Sequence, residues 1–204
     1  EISGYNGIVR QNTSHALSVR AAARKVAQAI GLPFEDIELV VAHLGGGISV
    51  TAMHNGRMID SNIALLGGGP FTPQRAGQLP TGSLIDLCYS GRFTREELII
   101  ELTRHGGLMS YLGEYRLPEI EQRIRDGDDY ARLIVDAMIY QISKEIGAMF
   151  VALGCEADAI VLTGGMARSD YVRSALRRRL NRLAPMLVFE DAIEMEALAS
   201  ETIR

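Results

Sequence analysis

The apolar positions of this chain change period several times, and the changes divide it into elements. "SHALSVRAAARKVAQAIG" has helical spacing, with Ser14 as its candidate cap, Gly31 as its stop and Pro33 beyond. The next two runs, "IELVVAH" (Ile37 to His43) and "ISVTAMH" (Ile48 to His54), read as buried strands. Asn55-Gly56 is a tight-turn signal leading into a third short strand, "RMID". Residues 37–60 therefore predict three antiparallel strands, the first pair joined through glycines and the second through a tight turn.

Periodicity then stops. "LLGGGPFTPQRAGQLPTG" (Leu65 to Gly82) holds five glycines and three prolines and predicts a long loop. Loops of that length inside a compact domain are usually functional or disordered. Phe71, Leu79 and Arg75 within it favour order. Helical spacing returns at Ser83 to Tyr89, after the capping box Thr94/Glu97, at Pro118 to Asp126, and from Asp129 to Leu153. In the last of these, Leu133, Ala137, Ile139 or Tyr140, Ile142 and Ile146 form the expected apolar stripe. "AIVLTGG" is a short buried strand that breaks into glycine, Ser169 caps a helix to Leu183, "MLVF" is a last strand, and Glu194 onward reads as helical. This order predicts one α/β domain with a mixed sheet, three antiparallel strands flanked by helices. There is no internal repeat or linker, so residues 1–204 are read as a single domain.

Composition narrows the function classes. With 47% hydrophobic and 23% charged residues and no apolar run of spanning length, the chain reads as globular rather than membrane-embedded. A net charge of −4 argues against a nucleic-acid surface, and Arg177, Arg178, Arg179 and Arg182 read as a solvated helix face. Cys88 and Cys155 fit neither a disulfide framework nor a metal spacing, and free thiols in a cytoplasmic setting are the expectation. The segment from Glu1 has no signal-peptide layout and begins without methionine, as a segment of a longer chain would, although a removed methionine would look the same.

The chemistry is concentrated where two strands break into glycine, "AHLGGGIS" and "IVLTGGMARS". Glycine lets a ligand approach bare main chain, and successive N–H groups in such a turn form an anion-binding concavity. The second break feeds a helix, whose N-terminus favours phosphate. Neither is a GxGxxG or GxxxxGK[ST] fingerprint, and either alone is also what a tight turn looks like. Two of them in one α/β domain, with Arg75 in a glycine-rich loop, point toward nucleotide phosphates.

These residues carry a resemblance. "VVAHLGGGISVTAMHNGRMIDSNIALLGGGPFTPQRAGQLPTG" resembles the core of butyrate kinases, in the acetate kinase group of the actin-like, sugar-kinase and Hsp70 ATPase superfamily. "SHAL", "DAIVLTGGMARSDYV", "LAPMLVFE" and "EMEALA" extend the match along essentially the whole chain. The resemblance implies a ribonuclease H-like (actin-like ATPase) fold and an ATP-dependent acyl kinase. The implied reaction is reversible transfer from ATP to butyrate or a related short or branched carboxylate, with Mg²⁺, giving acyl phosphate and ADP. It also implies that this chain is the C-terminal nucleotide-binding lobe, without its N-terminal partner, and that homodimers form through it.

Residue by residue, the resemblance puts His43 beside the transferred phosphoryl group, and Gly45, Gly46 and Gly47 at the β- and γ-phosphates. It puts Arg75 in the acyl and phosphoryl region. Gly164, Gly165, Met166 and Ala167 form the adenosine loop, and Asp128 and Tyr130 flank adenine and ribose. Glu194 is the Mg²⁺ carboxylate, with Glu196 its rival. Asp60 either orients Arg75 or closes its hairpin, and His15 reads as structural. Two departures stand out: Gly46 replaces the asparagine of the acetate kinase "HLGNG" pattern, which favours the butyrate branch. Gln11 stands where a histidine is expected, so that hydrogen bond must come from elsewhere or be missing.

Overall fold

A computed structural model describes residues 2–11 and 13–189. The expected hairpins are present: β1 (Glu38–Leu44), β2 (Ile48–His54) and β3 (Arg57–Ser61) pair antiparallel in sequence. Asn55 and Gly56 both take positive φ, 50° and 69°, as a two-residue turn matched to strand twist requires. β4 (Ala159–Thr163) then joins the other edge of β1 in parallel, and β5 (Met186–Val188) extends it, giving the order β3-β2-β1-β4-β5. The sheet is thus mixed, with β1 as the strand where direction changes.

Helices cover both faces. α1 (Ala16–Ile30) packs Val19, Ala22, Ala23 and Val26 against Leu39, Val41 and Val161 of one face. Val40, Ala42 and Leu44 point the other way, into a larger core built with α5 (Leu117–Arg125), the long α6 (Asp129–Ala152) and α7 (Asp170–Leu180). Successive strand side chains alternate faces, so β1 is buried on both sides and reads as a continuous apolar run. Burying each such valine, leucine or isoleucine is worth roughly 1.5–3 kcal/mol.

Between β3 and α5 lie α2 (Thr81–Cys88), α3 (Arg95–Arg104) and α4 (Gly107–Leu112). The Thr94/Glu97 capping box is formed at α3 as expected. α4 is a helix the periodicity did not predict, since six residues between glycine caps carry too short a pattern. The loop at residues 65–80 is ordered by main-chain bonds, among them Gln78 N–H to Gly69 C=O (3.0 Å) and Ala76 N–H to Leu102 C=O (2.9 Å).

Three local expectations are corrected. His15, not Ser14, is the N-cap position of α1, and Ser14 Oγ lies 3.8 Å from the Met58 sulfur. α2 begins at Thr81, directly after Pro80, which supplies the fixed φ that starts a helix. The stripe on α6 is rotated: Ile134, Val135, Met138, Ile142 and Ile146 are buried, whereas Leu133 and Tyr140 are 61% and 51% exposed. Glu194, Glu196 and the helix expected from Glu194 lie outside the described residues.

Candidate active site

The strand pairing puts both glycine turns at one end of the sheet. In the parallel β1–β4 ladder His43 is opposite Thr163, so Gly45–Gly47 and Gly164–Gly165 leave neighbouring strands side by side. A crevice outside the carboxyl ends of parallel strands is where open α/β sheets bind ligands. Gly164 has φ 86°, and a Cβ on it would lie 2.7 Å from Leu44 C=O, so only glycine lets the second turn pass the first.

His43 follows from the same alternation. Its parity is that of Leu39 and Val41, so it points to the α1 face, where His15 sits at the start of α1. The two rings stack with centroids 4.2 Å apart and planes inclined 31°. Ser49, the antiparallel neighbour of His43, contacts His15 Nδ1 at 2.9 Å, and Thr163, its parallel neighbour, contacts His43 Nδ1 at 3.0 Å. His43 is 7% exposed. The structural reading of His15 is thereby sharpened: it is a support for the His43 ring.

The third glycine of the triplet has a specific cause. A Cβ on Gly47 would lie 2.2 Å from Arg75 Nη1, whereas nothing lies within 4 Å of one on Gly46. The Arg75 guanidinium is therefore seated on the glycine turn. Its Nη1 also donates to Ala64 C=O at 2.5 Å. Burial lowers its pKa from the ordinary arginine value. An arginine so placed keeps its charge at neutral pH. Asp60 does not orient it: that carboxylate pairs with Arg10 at 2.8 Å and accepts from Ser61 N–H at 2.7 Å.

A cavity of about 810 Å³ opens between the two turns. Gly45, Gly46, Gly165 and Met166 of the two turns line it, together with Pro73 and Gln74. The rest of the lining is Tyr115, Arg116 and the first turn of α5, with Arg168 and Ser169 just before α7. Gly164 and Ala167 adjoin it through the short turn Gly165–Arg168. Asp128 and Tyr130, expected beside the nucleoside, do not line it, and neither do His43, Gly47 and Arg75, which lie at the first glycine turn. Asp128 caps α6 instead, accepting from Ala131 N–H (2.8 Å) and pairing with Arg123 (2.8 Å). The Arg123–Asp128 pair ties α5 to the start of α6, and Arg123 Nη1 to Leu112 C=O (3.0 Å) ties α5 to α4, with Tyr115 and Arg116 in the segment between those two helices. Tyr130 is 52% exposed. Arg116 is held by Glu114 at 2.7 Å, which keeps that carboxyl down at about 2.

Sequence reasoning missed Thr72, whose Oγ1 donates to Gly46 C=O at 2.8 Å, and the cavity residues Tyr115 and Arg116. The local signal for the last two was slight, because the segment before α5 is positioned by contacts of α5 with α6, α4 and Ser169.

The family model described as "Acetokinase family" matches residues 4–197. This chain belongs to the acetokinase family. It is 48% identical over 185 residues to the probable butyrate kinase of Bacteroides thetaiotaomicron, covering 91% of this chain and 52% of that protein. Crystal structures of Porphyromonas gingivalis acetate kinase (TM-score 0.84, 22% identity) and a Francisella tularensis propionate kinase (TM-score 0.81, 20% identity) share its fold. They cover 93% and 91% of this chain and 54% and 53% of theirs. Fold likeness extends more weakly to a ROK hexokinase from Thermus thermophilus, at TM-score 0.52 and 17% identity. The mixed five-stranded sheet is thus the fold shared with those acetate and propionate kinases. The acetokinase chain spans about half the length of the relatives it matches.

Proposed function

We propose that this acetokinase chain is the nucleotide-gripping lobe of a carboxylate kinase. The observation that carries the reading is the Arg75 guanidinium seated on Gly47, in the first of two glycine turns that leave neighbouring strands side by side. In the proposed reaction a carboxylate oxygen of butyrate, or a related short or branched acid, attacks the γ-phosphorus of ATP. The bond from phosphorus to the bridging oxygen breaks, and the electron pair leaves with ADP. Acyl phosphate and ADP form with no proton to move, and the same alignment serves the reverse direction.

Such a transfer needs positioning and charge stabilisation more than covalent help from the protein. The Gly45 N–H closes the first turn on Gly47 C=O at 3.1 Å, which leaves the main chain of Gly46 and Gly47 to meet the β- and γ-phosphates and Gly164–Ala167 the nucleoside side. Arg75 presents a fixed fork of donors that suits both a trigonal phosphoryl group and a carboxylate. His43, steadied by His15 and Thr163, stands at the start of the first turn. The 810 Å³ cavity, with Tyr115 and Arg116 as a wall, is of the size that takes a drug-sized ligand such as a nucleoside.

Among the described residues there is no group of three or more metal-ligating side chains. An ion that arrives on the phosphates with most of its waters needs only one or two protein carboxylates. Glu194, with Glu196 as rival, is the carboxylate we assign. Bound there, Mg²⁺ would neutralise phosphate charge.

A second copy of this chain is the proposed partner. Leu133, Ala137, Tyr140, Lys144, Ala148 and Val151 recur along one outer stripe of α6, and Leu133 and Val151 are 61% and 64% exposed. Leu133→Glu is expected to shift the chain toward monomer in sedimentation velocity, with unchanged far-UV circular dichroism. An unaltered sedimentation coefficient would remove this stripe from the interface. A nucleotide-binding and dimerisation module without turnover is the competing reading for the isolated chain, favoured by its coverage of about half of each relative. Among the described residues no helix is long and apolar enough to cross a membrane, and Cys88 and Cys155 are exposed free thiols. We assign the protein to the cytoplasm.

The test is a coupled assay of acyl phosphate, trapped as the hydroxamate, by this chain with and without an added butyrate kinase N-terminal lobe. Carboxylate-dependent turnover is expected once the lobe is restored. Its absence from the restored protein would remove the kinase reading.

A further inference from the structure

We propose that Thr72 is the positioning residue that aims Arg75, and that its hydroxyl, not its bulk, does so. The activity side of this inference rests on the carboxylate-kinase reading; its structural side stands on geometry alone.

Thr72 is 2% exposed and lies at the first position of the turn that ends at Arg75. A hydroxyl has one hydrogen and two lone pairs. Here all three are engaged: Oγ1 donates to Gly46 C=O at 2.8 Å and accepts from Arg75 N–H at 3.0 Å and Gln74 N–H at 3.3 Å. One atom therefore joins the backbone of the glycine turn to the backbone of the arginine that sits on it. The tip of Arg75 returns to the same turn, since its Nη1 occupies the space a Cβ on Gly47 would need. The result is a closed ring: Thr72 hydroxyl, Gly46, Gly47, Arg75 guanidinium, and back along the Arg75 main chain.

The far side of the turn is anchored independently. Thr72 N–H donates to Arg75 C=O (3.0 Å), Leu108 N–H to Thr72 C=O (3.1 Å) and Gly106 N–H to Gln74 C=O (3.0 Å). Gly107 has φ 60°, and a Cβ there would lie 1.8 Å from Thr72 C=O, so the turn is pressed against the start of α4. Removing the hydroxyl therefore leaves the turn in place on α4 and releases its hold on Gly46. Gly46 is exposed, so water can take its carbonyl, whereas the Arg75 and Gln74 N–H groups lose their acceptor. Stability therefore falls as well, and the alignment loss is read from the Arg75 cross-peak and the split between kcat and KM.

The experiment compares Thr72→Ser, which keeps the hydroxyl, with Thr72→Val, which keeps the shape. Kinetics use the chain supplied with the N-terminal lobe. A second readout uses the chain alone: the ¹⁵N NMR cross-peak of the Arg75 side-chain Nε–H, assigned by its loss in Arg75→Lys. Thr72→Val is expected to lower kcat by about 10–100-fold, as a misplacement of about 1 Å at a reacting centre does. KM for ATP should change by less than about threefold, because the nucleotide contacts Gly164–Ala167 independently. Thr72→Ser should restore most of kcat. In the chain alone the Arg75 cross-peak should be sharp and shifted from solvent arginines in wild type and Thr72→Ser, and average toward them in Thr72→Val. A valine variant with wild-type kcat, an unmoved Arg75 cross-peak, or a serine variant as impaired as valine would overturn the proposal. If the unmutated, lobe-restored protein fails to turn over, the kinase reading falls and the cross-peak alone decides the role of Thr72.

Discussion

Arg75→Ala is expected to lower turnover by about 10²–10³-fold, the usual cost of removing one preorganised donor from a charged transition state. The effect should appear in kcat and kcat/KM together, because the guanidinium acts on the migrating group rather than on the adenosine side. Stability should fall far less. The described bond lost is Arg75 Nη1 to Ala64 C=O, and the side chain is only part-buried. A net hydrogen bond is worth about 1 kcal/mol, and water can reach the vacated carbonyl. Arg75→Lys should not rescue, since an ammonium is a point charge without the planar fork. Hydroxamate-trapped turnover and thermal melting of the lobe-restored protein decide it. Comparable loss of activity and stability in Arg75→Ala would make this a structural arginine.

Gly47→Ala should do nearly as much damage without touching the arginine. The added methyl would meet Nη1 at 2.2 Å, and a flexible side chain yields before backbone does, so the guanidinium is the group that moves. Turnover is expected to fall by about 10²-fold, on the same reasoning that makes a small misplacement at the reacting centre costly. The double variant with Arg75→Ala supplies the control. Once the guanidinium is gone, the methyl has nothing to displace, so the double variant should be no slower than Arg75→Ala alone. Full additivity would mean that Gly47 acts through its own main chain and not through Arg75.

Taken together, these two substitutions separate the parts of the site that local sequence encodes from those that arise by docking. The three strands and their turns were legible because their causes are local: alternation with both faces buried, and Asn55-Gly56 at positive φ. The two glycine breaks were legible for the same reason. His43 and Arg75 were picked out by their neighbours in sequence, and the fold brings both to the first of those breaks. Asp128 shows the limit. An acid before a long helix signals something in sequence, but both its oxygens are spent on the cap and on Arg123, away from the cavity.

By itself, then, the sequence determined the class of fold, the register-bearing strands, and the family through "HLGGG", "FTPQRAG" and "LTGGMA". Each depends on residues within a few positions of one another, where backbone preferences and side-chain period act directly. Tertiary structure alone decided that Gly47 is bare because Arg75 lies on it, that His15 supports His43, and that Tyr115 and Arg116 wall the cavity. Those partners are brought together by sheet pairing and helix packing. No local pattern encodes a contact whose two halves are positioned by different elements.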